Sequence, residues 1–300
     1  MASSRATIVG LVAILLWSTL ALLTASTGAT PPFLLTALTF AIAGSAGLAV
    51  AANRPAGLAA LRQPPLVWLH GVGGLFGFHF FYFTALKLAP PAEASLVAYL
   101  WPLLIVLFSA MLPGGRLAGR HILGAALGLA GTALLVGGRS GGFGFETEHL
   151  AGYASAAACA VAWAAYSVTG RLFSKVPTEA VAGFCLATAA LAAACHLALE
   201  PTVWPAGVGE WLAVLGLGLG PVGLAFFAWD VGMKHGDVAT LGVAAYAAPL
   251  VSTLLLVAFG YAQASLLLAG GCALIVGGAL VATLFGRRRP RTAEPASPGA

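Results

Sequence analysis

The sequence predicts an all-α polytopic membrane protein: ten transmembrane helices arranged as two inverted five-helix repeats around a central cavity. Three observations predict it. The first is composition: of 300 residues, 60% are hydrophobic and only 8% charged, where a soluble domain carries about 25% charge. Mean hydropathy is +0.97, so the solvent for most of the chain is lipid. The second is continuity: apolar residues run unbroken over lengths near the roughly 20 that a spanning helix needs, and do not alternate as barrel strands do. The third is self-similarity at an offset of 146 to 147 residues. With 14 Lys and Arg against 9 Asp and Glu, the basic balance rests on few groups. Disorder, a nucleic-acid-binding stripe and an acidic tail are excluded.

The spans follow in order, each bounded by turn or charge signals. Residues 6–25 come after Arg5. Their layout also fits a signal peptide, but this segment is a member of the repeat and is expected to be retained. Residues 32–52 start at Pro31-Pro32, 66–87 at Pro64-Pro65, and 91–112 at Pro90-Pro91, where proline suits a helix start. Residues 118–138 lie between Arg116 and Arg139 and 150–170 end before Arg171. Residues 177–199 start at Pro177, 208–230 follow Pro205, 237–259 follow Gly236, and 263–286 end at Arg287. Residues 1–139 thus form the first repeat and 140–286 the second. Residues 287–300, rich in Arg, Pro, Ala and Ser, form a disordered cytoplasmic tail.

Charge sets the orientation. With the N-terminus in the cytoplasm, the inner segments carry Arg5, Arg54, Arg62, Arg116, Arg120, Arg171, Lys175, Lys234, Arg287, Arg288, Arg289 and Arg291; the outer ones carry Lys87 and Arg139. This strong positive-inside bias places both termini in the cytoplasm. Glu93, Glu146, Glu148, Glu200 and Glu210 fall outside. Trp204 and Trp211 outside, with Trp68 and Trp229 inside, suit interfacial belts. Glu93 and Asp230 lie near span ends and read as interfacial. His70, His121 and His196, also near ends, carry little signal. Cys159, Cys185, Cys195 and Cys272 lie within spans without a Cys-x-x-Cys pair, as inert thiols do.

Across the offset, Tyr99-Leu-Trp-Pro102 aligns with Tyr246-Ala-Ala-Pro249, Lys87 with Lys234, Gly124 and Gly131 with Gly271 and Gly278, and Trp17 with Trp163. Five helices per half is odd, so the second half enters from the opposite side. Such inversion creates a pseudo-twofold axis in the membrane plane and two ways of exposing one central site. In these motifs the chain resembles the EamA-type members of the drug/metabolite transporter superfamily over about residues 6–286. Within that superfamily it is similar to the aromatic amino-acid exporters of bacterial inner membranes. The resemblance implies a basket of helices around a central cavity, with the fifth and tenth helices apart from its wall.

Several residues are candidates for that site. Pro102 and Pro249 free the carbonyls of Ala98 and Ala245 and kink their helices, whether to shape packing or to aim Tyr99 and Tyr246 at the cavity. Trp17, Trp101 and Trp163, away from the belts, carry indole N–H groups that need partners in the bundle interior. With Phe78, Tyr82, Tyr99 and Tyr246 they form a candidate lining for a flat or apolar solute. His79 is an isolated ionisable group deep in a span; it is either a substrate ligand or a neutral hydrogen-bonding strut. Small-xxx-small pairs at Gly73/Gly77, Gly124/Gly128 and Gly216/Gly220 are expected at close helix crossings.

Absences narrow the cargo. No Lys or Arg lies mid-span, which disfavours phosphorylated cargo. No acid pair lies mid-membrane to carry several protons or sodium ions. No Walker lysine, nucleophile elbow or His-Glu-x-x-His is present, so the chain reads as a non-enzyme without cofactor or metal. The expectation is a monomeric inner-membrane secondary transporter exporting aromatic or other neutral amino acids and related metabolites by alternating access. Its partners are that small molecule and the bilayer, with no nucleic acid. Broad efflux of amphipathic drugs through the same cavity is the alternative.

Overall fold

The computed structural model describes residues 3–55, 57–113, 118–140, 146–259 and 265–284. Arg116, Arg287, Arg288, Arg289, Arg291 and the predicted tail 287–300 lie outside the described residues. All regular structure among the described residues is helical. The first predicted span is α1 (Ser3–Ser18) and α2 (Leu20–Ala25), and the second is α3 (Pro32–Ala52). The third is α4 (Pro65–Leu88), followed by α5 (Pro91–Ala98) and α6 (Trp101–Ser109) in place of one fourth helix. α7 (Gly119–Ser140), α8 (Leu150–Thr169) and α9 (Ala180–Leu199) come next. The eighth span is α10 (Val208–Leu219), a π turn over Gly220–Leu224, and α11 (Ala225–His235). α12 (Val238–Ala244), α13 (Ala247–Ala258) and α14 (Leu266–Leu284) complete the described chain.

Eight of these segments are long and apolar enough to cross a membrane, and two apolar ones, Glu93–Ser109 and Leu266–Ala282, are shorter. Leucines supply much of the exposed apolar surface, as suits helices in lipid; Leu197 is 81% and Leu69 70% exposed.

Proline sets the helix starts as predicted. Pro31, Pro64 and Pro90 sit at N-cap positions with ψ of 149°, 153° and 132°. A second proline follows at the first helical position, where its missing N–H costs nothing. At α3 this leaves Phe33 and Leu34 as the first free donors. The Glu200 carboxylate accepts both, at 3.0 and 3.2 Å. His196 Nδ1 lies 3.0 Å from the same carboxylate and its Nε2 2.9 Å from Thr202. The Glu200 carboxylate, its side chain buried, thus sits on a helix N-terminus, where the dipole favours negative charge. His196, which carried little signal in the sequence, holds that anion in place.

Four of the predicted spans break mid-way, the first at Thr19 between α1 and α2. Tyr99 and Leu100 separate α5 from α6, and Ala245 and Tyr246 separate α12 from α13. Both breaks come two to four residues before the predicted kink prolines, Pro102 and Pro249. Three-residue turns bridge them: Leu100 N donates to Val97 O at 3.1 Å and Tyr246 N to Val243 O at 3.2 Å. The π turn holds Pro221, whose missing N–H unsettles the ladder in the same way.

Packing pairs α3 with α9, α7 with α14, α6 with α12, α4 with α8 and α1 with α11. Numbering the predicted spans one to ten and exchanging each with the one five places away leaves this set of pairs unchanged. The first three pairs join equivalent spans, and each runs antiparallel. A Cβ on Gly124 would lie 2.6 Å from the Gly278 carbonyl, and one on Gly131 2.7 Å from the Gly271 carbonyl. Gly128 is as tight against the Tyr246 ring, so Gly124/Gly128 is a close crossing as expected. Gly73/Gly77 is not: a Cβ at either would meet nothing within 4 Å. At Gly216 and Gly220 the nearest atoms, on Leu23 and Leu16, are 3.6 and 4.0 Å away, an ordinary contact.

Candidate functional site

α1, α4, α6, α8 and α11 bring their aromatic rings to one place. Trp17 meets Trp163 at 5.6 Å, Trp101 at 6.2 Å and Trp229 at 5.0 Å between ring centroids. Trp101 stands edge-on to Trp163 at 6.3 Å, and Trp163 stacks on Trp229 at 6.5 Å. Phe78 meets Trp163 at 5.4 Å and stacks on Tyr82 at 5.9 Å, with planes 11° apart. His79 touches Phe78 and, edge-on at 5.0 Å, Phe40. Aromatic pairs in such geometries contribute about 0.5–1.5 kcal/mol each beyond burial.

The polar tips are held as well. Trp17 Nε1 donates to the Pro221 carbonyl in the π turn at 3.0 Å, and Trp229 Nε1 donates to Ser167 Oγ at 3.0 Å. His79 Nδ1 donates to the Leu75 carbonyl at 2.8 Å. In the neutral ring this leaves Nε2 as an acceptor. The Tyr82 hydroxyl pairs with Ser95 at 3.1 Å. Trp101, Trp163 and Trp229 are buried, whereas Trp17, Phe78, His79, Tyr82 and Tyr99 are half-buried.

Six of the eight predicted side chains, Trp17, Phe78, His79, Tyr82, Trp101 and Trp163, thus join one cluster. Tyr99 and Tyr246 meet each other instead. The Tyr246 hydroxyl donates to the Tyr99 carbonyl at 3.3 Å across 147 residues, the repeat offset. The Tyr246 ring lies in a separate core with Val106, Ala125 and Leu250.

Sequence reasoning missed three members of the site. Trp229 reads as a belt residue but is 1% exposed at the centre of the cluster. Phe40 and Phe226 stack at 5.4 Å, and nothing in sequence separates them from packing phenylalanines. The Trp204–Trp211 pair, stacked at 6.4 Å and well exposed, does suit a belt. Trp68 is half-buried against Phe184 at 5.3 Å.

Two acids also depart from expectation. Glu93 is buried and accepts from the Tyr153 hydroxyl. Asp230 is buried, accepting from Lys234 Nζ at 2.8 Å and Thr178 Oγ1 at 2.7 Å. Cys159 and Cys185 are buried and free, Cys195 and Cys272 free and half-buried. Glu146, Glu148 and His149 bring ligand atoms within 4.8 Å of one another, but at a surface apart from the rings.

Comparison with known proteins gives this arrangement a family. The profile of the EamA-like transporter family matches twice, over residues 4–137 and 150–284. The chain belongs to the EamA-like transporter family. It is 67% identical to the aromatic amino acid exporter YddG of Ancylobacter novellus, over 96% of this chain and all of that one. It is 29% identical to the exporter of the same name from Escherichia coli and 28% to that of Salmonella typhimurium, again over 96% of the chain and all of each relative. A solved crystal structure at 66% identity superposes with a TM-score of 0.92, covering 95% of this chain and 99% of its own. The chain is thus a multi-pass membrane transporter and not an enzyme.

Proposed function

We propose that the chain exports aromatic amino acids, and other neutral amino acids and metabolites of similar shape, across a bacterial inner membrane by alternating access. The observation that carries this reading is the cluster of four tryptophans, contributed by helices of both family matches, in a chain 67% identical over its length to an aromatic amino acid exporter. Flat apolar side chains stack on such walls, and rings held by the backbone need little reordering to receive them.

The ten segments act as ten spans, residues 1–139 inverted against 140–286. The antiparallel crossings of α3 with α9, α7 with α14 and α6 with α12 support this, since equivalent helices of parallel repeats would run the same way. We take the half-buried Phe78, His79 and Tyr82 as the wall of a central cavity opening toward the Lys87 end of α4. Buried Trp229, Asp230 and Lys234 close the opposite end. That closed end holds Thr7, Arg120, Arg171 and Lys234, and the other holds Glu93, Glu200 and Glu210, which supports two cytoplasmic termini. The tryptophan cluster is complete within one chain, which supports a monomeric working unit.

The test is uptake by proteoliposomes containing the purified protein. Labelled phenylalanine and tryptophan are expected to enter faster than into empty vesicles, and uptake equal to empty vesicles defeats the assignment. Inhibition of phenylalanine uptake by flat cationic dyes as strong as by tryptophan would favour broad efflux instead.

A further inference from the structure

Beside the tryptophan cluster, at the end closed in this conformation, lies a charge pair that the stacking walls do not explain. Asp230 and Lys234 are 9% and 6% exposed, one helical turn apart on α11, with Nζ 2.8 Å from the carboxylate. A void of about 10 Å³ is bordered by both, and by Trp229, Tyr166, Ser167 and His70. Trp229 therefore has the aromatic cluster on one side and a cation and an anion on the other. The pair is engaged with the segment between α8 and α9: Thr178 Oγ1 donates to Asp230 at 2.7 Å and Lys234 Nζ donates to the Val176 carbonyl at 2.9 Å. Arg171 adds a bond from its Nη1 to the Gly236 carbonyl at 2.8 Å, at the end of the same helix.

The duplicated architecture does without this pair in its other half. The 147-residue offset places Phe83 and Lys87 on Asp230 and Lys234. There the lysine lies 5.8 Å from the ring centroid of Phe33, and phenylalanine stands where the carboxylate would be. A buried ion pair is often replaced by apolar side chains at no cost in stability, so closing a span end gives no reason to keep one. Cargo does give a reason. An amino acid leaving water brings an ammonium and a carboxylate, and each needs an opposite charge in a low-dielectric site. The rings offer none.

We infer that Asp230 and Lys234 form the subsite for the charged end of a zwitterionic amino acid, Asp230 receiving its α-ammonium and Lys234 its α-carboxylate. The inference rests on the export reading above. In the conformation seen, the two charges satisfy each other and the void is too small for a ligand. When α11 parts from residues 170–178, each charge exchanges its partner on the protein for one on the cargo. Neither protein nor cargo then carries an uncompensated charge into the membrane interior. After release, the pair closes on itself again.

The experiment is competition against labelled phenylalanine uptake in proteoliposomes, using phenylalanine, phenethylamine, which lacks the carboxylate, and 3-phenylpropionate, which lacks the ammonium. The unmodified protein is expected to discriminate against both analogues by about tenfold or more. Lys234→Gln should bring phenethylamine to within about threefold of phenylalanine, and Asp230→Asn should do the same for 3-phenylpropionate. The double variant Asp230→Asn with Lys234→Gln, which leaves no unpaired charge, should lose both preferences. Thr178→Val, which loosens the same latch but keeps both charges, should retain both. Where a variant transports too slowly, the same ratios are read from equilibrium binding of labelled phenylalanine to the purified protein. Ratios that match the unmodified protein in all charge variants overturn the inference alone. Absence of phenylalanine uptake by the unmodified protein overturns the export reading and the inference with it.

Discussion

Single residues divide cleanly by what their polar atoms find. Trp17 and Trp229 anchor their indoles on Pro221 and Ser167, so their ring faces are fixed before any cargo arrives. Trp163 joins Phe78, Trp17, Trp101 and Trp229 and holds the cluster together. Trp163→Ala is expected to lower phenylalanine uptake by about tenfold or more, from lost ring contacts of about 0.5–1.5 kcal/mol each. Trp204→Ala, at a 57% exposed site, should leave uptake unchanged; equal losses in the two variants would show that the cluster has no special part. Tyr246→Phe should lower stability by only about 0.6 kcal/mol, the usual size of a hydrogen bond inside a membrane protein, read as a small fall in thermal midpoint. Trp17, Trp101 and Trp163 were legible because tryptophans deep in a span have few places to go, and the repeat pairs the first with the third. Trp229 was not, because Asp230 and Lys234 beside it imitate a span end. The charges that hide it in sequence are buried by the segment 170–178, whose position depends on contacts more than 50 residues away in the chain.

At the scale of elements, proline and glycine carry most of the information, with unequal clarity. Diproline starts fix α3, α4 and α5 to the residue, because an N-cap in extended geometry followed by a proline fits only a helix start. Breaks inside spans are harder to read. Pro102 and Pro249 announce a kink, but the chain yields at Tyr99–Leu100 and Ala245–Tyr246, where three-residue turns are cheapest. Pro221 was overlooked because it hides among glycines. The small-residue pairs look alike in sequence and differ in space. Gly278→Ala would put a Cβ 2.5 Å from the Gly124 carbonyl and should cost about 1–3 kcal/mol. Gly73→Ala meets nothing within 4 Å and should be neutral or stabilise by up to about 1 kcal/mol. Thermal unfolding in detergent compares them, and equal midpoints would contradict the close crossing of α7 and α14.

For the whole molecule, composition alone is decisive about the solvent, and charge placement supports the proposed direction. What composition leaves open is which halves meet, because a packing partner is a property of two surfaces and periodicity reports only one. The proposed orientation makes a prediction at this scale. In a variant whose four native cysteines are replaced, Glu148→Cys should react with a membrane-impermeant maleimide added to intact cells, and Lys175→Cys only after the membrane is opened. The reverse pattern would turn the whole topology over.

The bond from Tyr246 to the Tyr99 carbonyl has a consequence for kinetics. Residues one repeat apart that touch must straddle the axis relating the halves, and a hydroxyl there can point in only one sense. The halves are therefore distinct where they would otherwise be most alike, and under the proposed alternating access the two access states would differ in free energy. A carrier of this kind rests mostly in one state, and its maximal velocities for outward and inward passage are unequal. Its gradient at equilibrium stays that of the driving force alone, so Tyr246→Phe is expected to shift the ratio of those velocities without changing how far cargo accumulates.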